Sequence, residues 1–389
     1  MYEIKTLNSI AQQGLDQLAE NGLVLNVNAE NPDGLLVRSA KLHDWEFGDR
    51  LAAIARAGVG TDNVPVARCT ESGIAVFNSA GANAEAVKEL AICALFLASR
   101  DIVGGICWAE GLHSDNVAAE VEKGKSAFVG PEINGKTLGI IGLGSIGALV
   151  ANAATHLGMN VWGYDPYMSV DSAWRLRAVV QHARDLDTIY RQADYILVQV
   201  TSTPETRGMI NAAAIAKMKP GVRIINIARG ELVDNDAIRA ALSVGKVARY
   251  VTDFPCNALQ GVPGVVSIPH LGASTPESEE KCAVMAAQEL ADYLINGNTK
   301  NSVNLPDVWL ARNGVQRLCV IHRNVPKMLN RILDLVSGEN INVEHMINKA
   351  RGDVAYTVLD LSERLSESIV QHIRDMKDVM RVRLLDAAE

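Results

Sequence analysis

The sequence predicts an α/β protein with two Rossmann-like, doubly wound parallel-sheet domains, followed by a C-terminal ferredoxin-like α+β domain. Three observations lead there. Short apolar runs alternate with longer helical stretches from the start of the chain, the order that parallel sheets require. One of these runs ends in Gly142-Leu-Gly-Ser-Ile-Gly147, a G-x-G-x-x-G between a strand and a helix. Beyond residue 316 the order changes to β-α-β-β-α-β, a ferredoxin-like unit.

Along the first block, Leu23–Asn26, Leu35–Arg38, Leu51–Ala57 and Ile74–Asn78 read as strands. A long apolar stretch, Asn83 to Ser99, reads as a helix, and the polar, glycine-rich stretch Gly111–Gly135 as a crossing between domains. The central block holds strands at 138–141, 160–164, 195–200, 222–228, 248–254 and 265–268, with helices between them. Gly221 and Gly245 fit helix C-terminal stops. The helix expected at Pro276–Ile295 has Ser274 and Thr275 as cap candidates, with Glu277 and Glu279 near its positive end. The stretch 296–306 reads as an exit from this fold. Strands at 317–322, 342–350, 354–359 and 380–385, with helices at 326–337 and 365–376, complete the chain. The expected domains are 1–100 with 276–306, then 101–275, then 316–389.

The glycine run carries the first functional expectation. Gly142 permits a tight turn, Gly144 lets the backbone approach a pyrophosphate, and Gly147 lets the helix pack on the strand. Ser145 and Ile146 open that helix, whose N-terminus presents N–H groups and a partial positive charge to phosphates. About eighteen residues past the last glycine, the next strand ends on Asp165. Its carboxylate suits a ribose diol and repels a 2′-phosphate, so the expected cofactor is NAD rather than NADP.

Composition narrows the classes. A formal net charge of −8 argues against a nucleic-acid footprint. No apolar run approaches the ~20 residues of a membrane span, and the start MYEIKTLNSIA lacks a signal peptide's apolar stretch. The six cysteines are scattered, without C-x-x-C or zinc spacing, so no metal is expected and free thiols in a cytoplasmic protein are.

Three further segments sit at strand ends: Asn226-Ile-Ala-Arg-Gly-Glu-Leu-Val-Asp234, Thr252-Asp-Phe-Pro255, and Pro269-His-Leu-Gly-Ala-Ser-Thr275. With the glycine run, with Val37-Arg-Ser39, with 55–63, and with Asn78 through Asn83 to Glu89, they resemble the D-isomer-specific 2-hydroxyacid dehydrogenases over essentially the whole chain. The match is closest to the branch that oxidises 3-phospho-D-glycerate to 3-phosphooxypyruvate, the entry to L-serine synthesis. In that likeness Arg229 grips the substrate carboxylate with a fixed fork. His270 takes the hydroxyl proton as hydride leaves for the nicotinamide.

The resemblance further implies cofactor contacts at Thr201, Ile227, Ala228, Asp253, Gly272 and Ala273. It implies substrate contacts at Arg38, Ser39, Arg56, Gly58, Val59 and Asn83. Where the family carries a glutamate that orients the histidine, this chain has Asn257. Asp253 stands one position later than the family's aspartate. It is a candidate for the nicotinamide amide or for the missing carboxylate's role. Residues 317–385 resemble the ACT modules appended to many such enzymes, with His322, Asn324 and Asn342 in the places of effector ligands for L-serine. Lys327 replaces the usual glycine of that turn. A homodimer or homotetramer is expected. The alternatives are a glycerate, hydroxypyruvate or lactate type of dehydrogenase, and a low-turnover protein that senses NAD or an amino acid.

Overall fold

The structure is a computed structural model and describes residues 1–168 and 170–386. It divides into two compact units, Met1–Asn83 together with the chain from Pro276 onward, and Ala84–Thr275.

The first segment of unit one runs β1 (Glu3–Leu7), α1 (Gln12–Glu20), β2 (Val24–Leu25), β3 (Gly34–Val37), β4 (Ala53–Arg56), α2 (Val66–Glu71) and β5 (Ala75–Asn78). The strands are parallel in the order β2-β1-β3-β4-β5. Every residue of β3 is buried, as in a sheet covered on both faces, and such strands read as plain apolar runs. Strand β1 escapes that pattern because Glu3, Lys5 and Thr6 interrupt it, yet Ile4 is fully buried. Helices α1 and α2 were likewise not expected.

Unit two begins with α3 (Ala84–Ser99), α4 (Ile102–Glu110) and α5 (Val117–Gly124). The expected boundary at 100/101 therefore moves to 83/84. The reason is that Val87, Ala91, Ala94, Leu95 and Ala98 of α3 share one core with Leu138, Ile140 and Val150. The expected polar crossing is partly helical. The side chains of Asp101 and Asn116 cap α4 and α5 by accepting from Gly104 N–H and Ala119 N–H. There follow β6 (Thr137–Ile141), α6 (Ser145–His156), β7 (Asn160–Tyr164), a single turn α7 (Val170–Trp174), β8 (Gln181–His182), α8 (Leu186–Gln192), β9 (Tyr195–Val198), α9 (Ala212–Lys217), β10 (Val222–Asn226), α10 (Asn235–Ser243), β11 (Val247–Thr252) and β12 (Val265–Ser267). The seven strands are parallel in the order β12-β11-β10-β9-β6-β7-β8. Strand order reverses between β6 and β9, the place where such sheets open a ligand crevice at their carboxyl ends.

Unit one resumes with α11 (Pro276–Asn296), β13 (Gln316–Arg323), α12 (Met328–Gly338), β14 (Val343–Arg351), β15 (Val354–Leu361), α13 (Glu367–Arg374) and β16 (Val379–Asp386). The last four strands form an antiparallel sheet in the order β14-β15-β13-β16. Alternation along β13 sends Leu318 and Val320 against Ile332, Val336, Val370 and Ile373 of the two helices. It sends Cys319 and Ile321 to the opposite face, into one core with Leu290, Tyr293 and Leu294 of α11. The segment expected as a separate domain thus shares a core with the first sheet's unit.

Polar contacts fasten the same seam. Arg317 and Asp360, both fully buried, pair through two hydrogen bonds of 2.6 and 2.8 Å. Arg317 also donates to the carbonyls of Asn296, Leu310 and Ala311. Arg383 donates to the carbonyls of Tyr293 and Leu294, where the end of α11 favours a cation. Among the described residues no single helix is long and apolar enough to cross a membrane.

Candidate active site

The glycine turn behaves as its spacing requires. Gly142 has φ +97°, and a Cβ there would sit 2.3 Å from the Gln199 carbonyl oxygen. A Cβ on Gly147 would sit 2.0 Å from the carbonyl oxygen of Gly142, so α6 packs onto the turn only without a side chain there. At Gly144, the N-cap of α6, an added Cβ meets nothing within 4 Å. The turn is closed on the protein side and open on the other, where the first N–H groups of α6 lack helical partners. Asp165, directly after β7, braces this loop. Its two oxygens accept from Leu143 N–H and Tyr167 N–H, each at 2.9 Å, which leaves lone pairs free on both. After β9, the buried Gln199 Oε1 and Ser202 Oγ have no hydrogen-bond partner among the described residues. An open turn at a helix start, with orphaned polar atoms after the neighbouring strand, fits a dinucleotide.

Three adjacent strands, β10, β11 and β12, each deliver one functional residue from their carboxyl ends: Arg229, Asp253 and His270. The Arg229 turn is held by fully buried Asn226, whose amide donates to the Arg229 carbonyl at 2.9 Å. Ile227 and Ala228 are buried beneath the turn, and Arg229 is exposed, with Nη1 donating to the Ala228 carbonyl at 2.6 Å. His270 has φ +25°, an uncommon conformation for a residue with a side chain. Its N–H donates to the Asp253 carbonyl at 3.1 Å, and its ring lies against Phe254 with centroids 4.8 Å apart.

Asp253 is 1% exposed, and its Oδ1 has no partner. Burial pushes its carboxyl up. The charges of His270 and Arg229 and the Gly272 N–H pull it down. Asn257, by contrast, opens a short surface turn and makes no hydrogen bond among the described residues. Of the two candidates for the histidine's companion, the one whose backbone bonds it and whose carboxyl feels its charge is Asp253. Thr201 is exposed, and its carbonyl accepts from Thr206.

In unit one the substrate candidates converge at the carboxyl ends of β3 and β4. Arg56 Nε donates to the Arg38 carbonyl at 3.0 Å, and Gly58 N–H donates to the Arg56 carbonyl at 2.9 Å. The Val59 carbonyl accepts from Asn78. The Ser39 N–H is taken by Asn8 Oδ1 at 3.0 Å, so that group is already used. Asn83 Oδ1 is buried without a partner. Arg38 is not idle either, because its guanidinium grips Glu279.

Comparison with known proteins agrees with this geometry. A family model described as the NAD-binding domain of D-isomer-specific 2-hydroxyacid dehydrogenases matches residues 108–272. A D-3-phosphoglycerate dehydrogenase of Haemophilus influenzae is 31% identical over 355 residues, spanning 87% of this chain and 82% of the relative. The chain belongs to the D-isomer-specific 2-hydroxyacid dehydrogenase family. Its cofactor is NAD. A second relative of the same name, from Synechocystis, is 33% identical over 79% of this chain, and a third, from Mycobacterium tuberculosis, is 39% identical over 70%. The chain spans only 56% and 51% of their respective lengths. Among solved structures, a Thermus thermophilus protein matches with TM-score 0.62 at 25% identity, over 77% of this chain and 99% of that one.

The effector candidates are dispersed in this family member. His322 is 3% exposed, with Nδ1 on the Arg323 carbonyl at 2.8 Å and Nε2 on Thr357 Oγ1 at 2.9 Å. Both ring nitrogens are consumed inside the sheet, so the expected effector contact from His322 is withdrawn. Asn324 is exposed and bonds the Gly352 carbonyl. Asn342 lies beside Ser362, at the other end of the sheet from His322. Asn226, Phe254 and Glu279 were missed as site residues. Each stands in a stretch the sequence marks, Asn226 and Phe254 in strand-end segments and Glu279 at a helix start, but none of those signals says that it serves the site.

Proposed function

We propose that the chain oxidises 3-phospho-D-glycerate to 3-phosphooxypyruvate with NAD, as the entry step of L-serine synthesis. The observation that carries this reading is the delivery of Arg229, Asp253 and His270 by three neighbouring strand ends beside a dinucleotide turn. Bound NAD supplies the hydride acceptor. Arg229 holds the substrate carboxylate in a two-pronged grip. His270 takes the hydroxyl proton as the carbinol C–H bond breaks, and returns it in the reverse direction. Asp253, buried and close enough to feel the histidine's charge, opposes the charge His270 acquires. Phe254 and the His270–Asp253 backbone bond fix the ring's position.

A specific observation favours a second reading. Arg38, one of the two candidate cations for a substrate phosphate, is already paired with Glu279, which suits an unphosphorylated D-2-hydroxy acid such as D-glycerate. NADH absorbance with a panel of D-2-hydroxy acids tests both. The first reading expects the highest kcat/KM on 3-phospho-D-glycerate. His270→Ala should lower kcat by about 10² to 10⁴ with NAD affinity retained, and Arg229→Ala should chiefly raise KM. Faster turnover of an unphosphorylated acid would replace the first reading with the second. Near-normal turnover by His270→Ala would remove the histidine from the mechanism.

We further propose that the C-terminal sheet is an ACT-type module, on its βαββαβ order, and that Asn324 and Asn342 are its remaining L-serine contacts. A homodimer is supported by α4, whose Ile102, Val103 and Ile106 are exposed. A cytoplasmic location suits its free thiols.

A further inference from the structure

We infer that Glu279 is a specificity-determining residue, a resident carboxylate that competes with a substrate's phosphate group for Arg38. The inference rests on the proposed reading of Arg38 as a substrate-side cation. Arg38 follows β3, and its guanidinium meets Glu279 with both arms, Nη1 to Oε2 at 3.0 Å and Nη2 to Oε1. This two-pronged geometry is also the one a phosphate would demand of the same guanidinium.

Glu279 is held in place by its helix. It lies in the first turn of α11, where the helix start favours an anion. Ser79 Oγ, on the loop after β5, contacts the Cys282 carbonyl at 2.6 Å and the Arg56 carbonyl at 3.1 Å. That hydroxyl ties the start of α11 to the strand end that carries the second cation.

Arg56 has a carboxylate close by as well. A Cβ built on Gly60 would lie 3.3 Å from Arg56 Nη1 and 3.4 Å from Asp62 Oδ2, so the two groups flank the same glycine. Arg38, Arg56, Glu279 and Asp62 together carry no net formal charge. A phosphate dianion arriving here finds no surplus of positive charge and must take Arg38 from Glu279. The hydroxymethyl group of an unphosphorylated acid faces no such exchange. Glu279 therefore tilts the chain's preference towards unphosphorylated substrates relative to the same site without it.

The test uses the full chain as wild type, Glu279→Gln, Arg38→Ala and the double variant. KM is measured for 3-phospho-D-glycerate and for D-glycerate, and inorganic phosphate is titrated by calorimetry. The ratio of KM for the phosphorylated to the unphosphorylated acid should fall about two- to fivefold in Glu279→Gln, the scale of one exposed ion pair. Inorganic phosphate should bind tighter by a similar factor. Both effects should vanish in the Arg38→Ala background.

An unchanged or raised ratio in Glu279→Gln overturns the inference, as does a shift that survives Arg38→Ala. If wild type oxidises D-glycerate but not 3-phospho-D-glycerate, the phosphoglycerate reading falls on its own. The phosphate titration then decides Glu279: tighter binding in Glu279→Gln upholds the competition, and unchanged binding ends it.

Discussion

After β6 the chain turns into α6 through Gly142 at φ +97°, and after β13 it turns into α12 through Lys327 at φ +72°. The two turns do the same geometric work with opposite residue choices. At the first, glycine accepts the left-handed backbone without strain and Gly144 leaves open space beside the helix start. At the second, a lysine takes the strained conformation, and the next-to-last residue of the strand before it is a histidine sealed into the sheet. A turn built to admit a ligand keeps its backbone bare and its polar atoms free. A turn built to join a strand to a helix has neither requirement.

The largest effect should come from closing the open turn. Gly142→Ala places a methyl 2.3 Å from the Gln199 carbonyl oxygen and 2.8 Å from Val200 Cγ1, at a positive φ. The backbone strain alone is worth about 1–2 kcal/mol. Melting temperature and NAD affinity should fall together, the latter by at least about tenfold. Gly144→Ala separates the two effects. Its methyl meets no protein atom, so stability should hold while NAD binding weakens. Normal NAD affinity in both variants would mean that the pyrophosphate lies elsewhere.

The legibility of these two regions follows from what backbone chemistry demands. A pyrophosphate turn requires missing side chains at fixed spacing, so Gly142, Gly144 and Gly147 wrote it into the sequence, and Asp165 followed at the expected distance. Arg229 and His270 were legible because their segments resemble a known family. Strand β1 was not, since its polar residues break the apolar run that marks a strand buried on both faces. The shared core of α11 and the C-terminal sheet was invisible because a strand's inward residues do not say what they meet. The pairings of Asp253 with His270 and of Glu279 with Arg38 join residues that no local pattern connects. Asn257 showed that a role was vacant at its own position, but only the fold shows that Asp253 bonds the His270 backbone and feels its charge.

The sealed histidine gives the second test, of intermediate size. Burial lowers the His322 imidazole below the ordinary histidine range. Above about pH 6.5, the unfolded value, the ring is neutral in both states and nothing is lost. As pH falls below that value the unfolded chain takes up the proton and the folded chain resists it, so stability declines until the folded value is passed. Glu289 acts in the opposite sense over nearby pH. Burial pushes its carboxyl up to about 7, so its contribution weakens stability as pH rises from about 4.5 towards 7. The informative quantity is the difference in melting temperature between wild type and His322→Gln across pH 5 to 7.5, roughly the window of histidine titration. The wild type should lose more stability on acidification than the variant. Equal slopes would show that His322 opens to solvent, and would restore it as an effector contact.

The smallest effect tests the lysine turn directly. Lys327 is exposed, and its side chain caps nothing at the start of α12, so the residue contributes strain without a compensating contact there. Lys327→Gly relieves about 1–2 kcal/mol of left-handed strain and gives back about 0.5–1 kcal/mol through the greater freedom of glycine in the unfolded chain. The net expectation is a gain of roughly 0.5–1 kcal/mol, read as a higher denaturant midpoint with an unchanged slope. Lys327→Ala keeps the Cβ and the strain, so it should not show this gain. The same variant asks whether the two turns differ only by their side chains. With glycine in place, the backbone at 326–328 is as bare as at Gly142, and calorimetric titration with L-serine should then show tighter binding than wild type. A stability gain without any change in serine binding would show that the C-terminal turn lacks more than a glycine, because His322 stays sealed in the sheet and leaves only Asn324 of the two at this turn.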